Sequence, residues 1–119
     1  MDIYQFLSNI NFSSVLWQIL TPIIFSLADI VTGFIQAIIN KNVDSNIMRK
    51  GLLHKVLLII IIILSFLLDI TFSLGYISKL VCGYIIIMEL VSIAENISKA
   101  GIDIGKLKDI LNIKKGEEE

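Results

Sequence analysis

The stretch Val56-Leu57-Leu58-Ile59-Ile60-Ile61-Ile62-Ile63-Leu64-Ser65-Phe66-Leu67-Leu68 contains one hydroxyl group and no charge. Lys55 precedes it, Asp69 follows it, and neither glycine nor proline interrupts the chain before about Leu74. At about 1.5 Å per residue, a helix of this length is close to the thickness of the hydrocarbon core of a bilayer. The run therefore predicts a membrane-spanning helix over about residues 56–74. The alternative is a buried strand or core helix of a soluble protein.

The composition of the 119-residue chain favours the membrane-spanning interpretation. Hydrophobic residues make up 55% of the chain, and further apolar segments lie on either side of the central run. Too little polar chain remains to cover a soluble fold. The formal net charge is only −1, and no basic stretch is interleaved with aromatic residues. We therefore expect an integral membrane protein that contacts lipid and does not bind nucleic acid.

A second predicted span covers about residues 15–39, and it carries polar and small residues at steps of three and four. On a helix this spacing places them in one stripe. The stripe consists of Ser26, Asp29, Thr32, Gly33, Gln36, Ala37 and Asn40. Within it, Gly33 and Ala37 form a small-residue pair that permits close approach of another helix. Because hydrocarbon cannot satisfy polar groups, the stripe must face protein or water, either between subunits or in a lumen.

A third predicted span covers about residues 76–97 and carries Glu89 and Ser92, so that each span holds one acid away from its ends. The three acids are Asp29, Asp69 and Glu89. An intramembrane acid costs at least about 2.5 kcal/mol at a helix centre and almost always faces a bundle interior or water. We therefore expect self-association or an aqueous path. The alternative is that some acids are protonated or paired within the monomer, for example Asp69 with Lys79.

The charges at the ends of the spans predict the orientation in the membrane. Between the first two spans, four cations stand against the single anion Asp44. Under the positive-inside rule this loop is cytoplasmic, which places the N-terminus outside and the C-terminus in the cytoplasm. The residues expected at the cytoplasmic boundary are Lys41, Arg49, Lys50, Lys55, Glu95, Asn96 and Lys99. Among them, Glu95 and Lys99 have the spacing of a helical ion pair.

The chain divides into an N-terminal segment at 1–14, a transmembrane domain at 15–101 and a charged cytoplasmic tail at 102–119. The N-terminal segment predicts either a short amphipathic helix on the membrane surface or a frayed terminus. It contains no lysine or arginine, so we expect no signal peptide there. The tail has an amphipathic helical pattern as far as Lys115.

Neither catalytic chemistry nor a cofactor is expected. His54 is the only histidine and lies at a predicted membrane boundary, while Cys82 is the only cysteine and lies in an apolar segment. One histidine and one cysteine cannot supply a metal site of several thiolates or imidazoles. No glycine-rich phosphate loop is present either. The pattern predicts a protein that is not an enzyme.

Several short elements, in this order and spacing, resemble the toxin-secretion and phage-lysis holin family. They are Ala28-Asp29-Ile30-Val31-Thr32-Gly33, Lys41, Asp44-Ser45, Lys50-Gly51, Lys55, Leu68-Asp69, Glu89-Leu90-Val91-Ser92-Ile93-Ala94-Glu95-Asn96 and Gly101. The resemblance covers about residues 28–101. It departs from the family pattern after Gly101, where Ile102-Asp103-Ile104-Gly105 replaces a proline-containing turn.

The resemblance implies a small bacteriophage holin that forms a homo-oligomer in the bacterial cytoplasmic membrane. Such a protein opens lesions through which an endolysin or a toxin leaves the cell, without binding that cargo directly. Two other functions remain open. Intramembrane acids also suit a non-lytic small-ion channel or transporter subunit, and the basic residues at 106–115 suit a membrane anchor that recruits a partner.

Overall fold

A computed structural model of the chain describes residues 2–11 and 14–105. These residues form four helices and no strand: α1 (Ile3–Ser8), α2 (Val15–Ile39), α3 (Ser45–Thr71) and α4 (Ile77–Lys99). The last three are long and apolar enough to cross a membrane. The prediction of an all-helical protein with three spans is therefore confirmed. Most of the predicted amphipathic tail lies outside the described residues.

Helix α1 is short and begins with a capping box. The Gln5 amide donates to Asp2 Oδ1 (2.8 Å), and the Asp2 amide donates to Gln5 Oε1 (3.2 Å). These two bonds satisfy backbone donors that a helix start otherwise leaves open. The sequence allowed a short helix or a frayed terminus in this segment, and the structure has a helix that ends at Ser8. Its apolar side chains, including Ile3 and Phe6, are exposed.

Helix α3 begins at Ser45, well before the Val56 at which the apolar run begins. Asp44 is the N-cap, and its Oδ1 accepts from the amides of Asn46 (2.9 Å) and Ile47 (3.4 Å). The apolar run alone could not show this start, because the first turns of α3 are polar and basic. The helix ends at Thr71, and its 27 residues span about 40 Å.

One turn connects α3 to α4, and a second turn ends α4. After α3, the Leu74 amide donates back to the Asp69 carbonyl (2.9 Å), and Ser73 takes a left-handed conformation at φ 52°. After α4, the Ile102 amide donates to the Ile97 carbonyl (3.2 Å) while Gly101 has φ 97°. Glycine is the residue that adopts this conformation without a steric penalty, so Gly101 ends α4 at Lys99.

The helices pack unequally. Helix α4 packs along α2 most extensively and along α3 less, while α2 touches α3 least. A small apolar cluster of Ile62, Cys82 and Ile85 joins α3 to α4. The other large apolar side chains of the spans are mostly exposed, which is the pattern of a bundle whose outer surface faces lipid.

Candidate functional site

The central feature of the bundle is a charged network that joins all three spans. Lys55 Nζ on α3 lies 2.9 Å from Asp29 Oδ2 on α2 and 2.7 Å from Glu89 Oε2 on α4. The three side chains are only 13%, 14% and 6% exposed, respectively. We call Asp29, Lys55 and Glu89 the Lys55 network. One ammonium group thus pairs with two carboxylates between the three apolar helices.

The network lies in the half of the bundle that contains the ends of α2 and α4 and the start of α3. Asp29 precedes the end of α2 by about 15 Å, and Glu89 precedes the end of α4 by a similar distance. Lys55 follows the start of α3 by about 15 Å. The sequence predicted Lys55 as a boundary residue, and the structure places its partly buried ammonium group between the spans.

Asn96 extends the network along the interface between α2 and α4. Its Nδ2 lies 2.8 Å from Asp29 Oδ1, 3.2 Å from the Asp29 carbonyl and 3.1 Å from Thr32 Oγ1. A Cβ added at Gly33 would lie 3.4 Å from the same Asn96 nitrogen. Asn96 therefore packs directly on Gly33, and a side chain larger than a methyl group there would meet Asn96.

The polar stripe of α2 faces α4 within one chain. Toward the end of α2, Ala37 is buried, and Asn40 Nδ2 donates to the Lys99 carbonyl (3.0 Å) and to Gln36 Oε1 (3.1 Å). Ser26 is half-buried on the same helix. The structure thus gives hydrogen-bond partners on α4 to Asp29, Thr32 and Asn40 of this stripe.

Two open cavities flank the Lys55 side chain. One has a volume of about 420 Å³ and the other about 560 Å³, and both are lined by Asp29, Gly51, Lys55 and Ser92. Glu89 lines only the second cavity, together with His54. Ser92 therefore faces the space around the ion pairs. Space is therefore open on both sides of the Lys55 side chain, and the first cavity also reaches Gly33 and Asn96 at the edge of the α2–α4 interface.

Asp69, at the opposite end of the bundle, has a structural role. Its Oδ1 accepts from the Ile77 amide (3.1 Å) and its Oδ2 from the Ser78 amide (2.9 Å). The carboxylate thus caps the N-terminus of α4, where the helix dipole favours a negative charge. The suggested ion pair between Asp69 and Lys79 is absent from the described residues, and the Lys79 side chain is exposed.

Replacing Asp69 by alanine is expected to lower the free energy of unfolding by about 1–2 kcal/mol, because two amides at the start of α4 lose their acceptor. Asp69→Asn retains an acceptor oxygen and should lose less. Denaturation of the detergent-solubilised protein measures both values. In a double-mutant cycle, the substitutions Asp69→Ala and Lys79→Met should show no coupling in the free energy of unfolding. A coupling above about 0.5 kcal/mol would indicate that Asp69 pairs with Lys79. Equal stability of Asp69→Ala and the unaltered chain would contradict the capping role.

The remaining predicted boundary residues lie at the ends of the spans. Lys41, Arg49, Lys50, Glu95 and Lys99 are exposed. The expected ion pair between Glu95 and Lys99 does not form among the described residues. Cys82 is a buried free thiol in the apolar cluster, and no group of three or more metal-ligating side chains occurs in residues 2–11 and 14–105.

Sequence reasoning missed the connection of Lys55 and Asn96 to Asp29. One signal for Lys55 was present, because a cation directly beside a long apolar run can turn inward toward an unpaired intramembrane acid. Asn96 gave no comparable signal. Its position depends on the angle at which α4 crosses α2, which periodicity does not encode.

Comparison with known proteins identifies the group to which this bundle belongs. No solved structure matches the chain. An uncharacterized protein of Halalkalibacterium halodurans is 29% identical over 113 residues, which cover 86% of this chain and 82% of the relative. The model of the bacteriophage holin family matches residues 8–115, a range that contains all three spans and the Lys55 network. The chain therefore belongs to the bacteriophage holin family, whose members are membrane proteins and not enzymes, and it crosses the membrane several times.

Proposed function

We propose that the protein is a lesion-forming holin of the bacterial cytoplasmic membrane, which oligomerises and releases an endolysin or a toxin from the cell. The observation that carries the proposal is the family match over residues 8–115. The polar groups buried between the three spans support it, because a lesion needs polar surface that a dispersed monomer must hide from lipid.

The proposed orientation has the N-terminus outside and the C-terminus in the cytoplasm. Lys41, Arg49 and Lys50 are exposed near the ends of α2 and α3, and Asp44 is the only acid beside them. This excess of cations supports a cytoplasmic location for the α2–α3 loop. The exposed apolar side chains of α1 would then rest on the outer surface of the membrane.

In the proposed mechanism, assembly depends on the density of monomers in the membrane. A dispersed monomer keeps the stripe of α2 against α4, where Asn96 and Asn40 satisfy it. At high density, neighbouring copies can replace α4 as the partner of this stripe, and a ring can turn it toward water. Opening then occurs when intermolecular contacts become more favourable than the contacts within one chain.

The test is induced expression in a bacterium that also holds a cytoplasmic endolysin without a signal peptide. Culture turbidity and the appearance of a cytoplasmic reporter enzyme in the medium are followed together. We expect abrupt clearing only when both proteins are present. Cultures with the endolysin alone and with the proposed holin alone are the matched controls.

Other outcomes would assign other functions. Loss of membrane potential without release of the reporter would indicate a small-ion channel, the second candidate, for which the charged network between the spans provides suitable groups. A chain that lacks residues 103–119 should still support clearing. Loss of activity in this truncated but stably inserted chain would instead favour an anchor that acts through its tail.

A further inference from the structure

The N-terminal half of α3, which contains Lys55 and which we call its inner half, is held to the rest of the bundle by few contacts. Among the three pairs of spans, α2 and α3 touch least, and the apolar cluster that joins α3 to α4 lies farther along, at Ile62, Cys82 and Ile85. At the level of Lys55, cavities of about 420 and 560 Å³ lie on both sides of the side chain. Lys55 therefore crosses a loosely packed region to reach its two partners.

The contact of inner α3 with α2 and α4 depends on the charge of Lys55. The ammonium group compensates two carboxylates on two other helices, at 2.9 and 2.7 Å. If α3 moves away, Asp29 and Glu89 lose their shared cation and repel each other in a region of low dielectric. If α3 stays, the cavities leave it few apolar contacts in this region. The position of inner α3 thus depends largely on one side chain.

We propose that Lys55 is a latch that holds the inner half of α3 against α2 and α4, and that its release is the conformational step that opens the monomer for assembly. This inference rests on the proposed function. Release would leave the outer half of α3 anchored by the apolar cluster and by the hairpin at Asp69. It would expose Asp29, Ser92 and Asn96 to water or to a second copy of the chain.

Distances between spin labels can test the latch in the full-length protein. In a Cys82→Ser background, exposed positions Ile35 on α2 and Leu53 on α3 report the inner half. Exposed positions Leu67 on α3 and Leu80 on α4 report the outer half. Each pair is measured by electron paramagnetic resonance in lipid vesicles, with the labelled chain diluted in unlabelled chain so that distances are intramolecular.

In Lys55→Met, the inner pair should shift to longer distances by more than about 2 Å and broaden, since helix displacements of this size accompany switching between packed states. The outer pair should keep its distance. The matched control is Lys50→Met, which removes an exposed cation from the same helix and should change neither pair. An unchanged inner pair would overturn the proposal, and so would equal shifts of both pairs, which indicate general loss of packing.

If Lys55→Met does not accumulate in the membrane, the double variant Asp29→Asn, Glu89→Gln provides the same test, because it removes both partners of the ammonium group. The same shift of the inner pair is expected, and no shift would overturn the latch. In cells, unlatched variants should also trigger clearing earlier than the unaltered chain at equal abundance. If the unaltered chain releases no endolysin, the proposed function fails, while the label distances still decide whether Lys55 is a latch.

Discussion

Replacement of Lys55 by methionine is expected to lower the free energy of unfolding by about 3–5 kcal/mol, the usual cost of removing one partner from a buried ion pair. Methionine retains most of the apolar stem but leaves Asp29 and Glu89 without their shared cation. Unfolding of the purified protein in detergent micelles by increasing amounts of a denaturing surfactant measures the difference.

The charge count predicts an order among the variants. Glu89→Gln should cost less than Lys55→Met, because a neutral pair of Lys55 and Asp29 remains. Lys50→Met removes a cation that is exposed on the same helix, and its effect should stay within about 0.5 kcal/mol. If Lys55→Met and Lys50→Met had equal effects, the Lys55 network would contribute nothing to stability.

Leucine at Gly33 should lower the free energy of unfolding by about 1–3 kcal/mol, the usual cost of overpacking a close interface. A single Cβ there would already lie 3.4 Å from Asn96 Nδ2. The larger side chain must displace Asn96, and Asp29 then loses a hydrogen bond of 2.8 Å. Surfactant-induced unfolding also measures this change. The time at which endolysin-dependent clearing begins should change as well.

Gly83→Leu is the matched control for this position. Gly83 also lies in a span, but nothing stands within 4 Å of a Cβ built on it. Its replacement should therefore leave stability nearly unchanged, and Gly33→Ala should fall between the two leucine variants. Helix propensity favours leucine over glycine at both positions, so it cannot cause a loss. Equal losses for Gly33→Leu and Gly83→Leu would mean that the approach of Asn96 does not set the cost.

The two sets of variants concern two different interfaces of one bundle. Gly33 and Asn96 stabilise the close contact of α2 with α4, whereas Lys55 connects the loosely packed α3 to both helices. If lesions form by exchange of helix partners, these interfaces need not open together. The latch predicts that α3 moves first and that the α2–α4 contact changes only when other copies are near.

Local features of the sequence determined the fold class. An uninterrupted apolar run such as Val56–Leu68 predicts a span because its length matches the bilayer, whichever helices surround it. The stripe from Ser26 to Asn40 follows in the same way from helical periodicity. Because these properties belong to single segments, three spans and an all-helical protein could be predicted without knowledge of their packing.

Only the tertiary structure decided the partners of the buried polar groups. The pairing of Lys55 with Asp29 and Glu89 joins residues far apart in sequence, and it depends on how α3 leans against the other two spans. Asn96 reaches Asp29 because α4 crosses α2 at Gly33, and Asp69 caps α4 because the hairpin returns to it. The sequence determined that each span carries an acid, and the packing determined that two of the acids share a lysine while the third caps a helix.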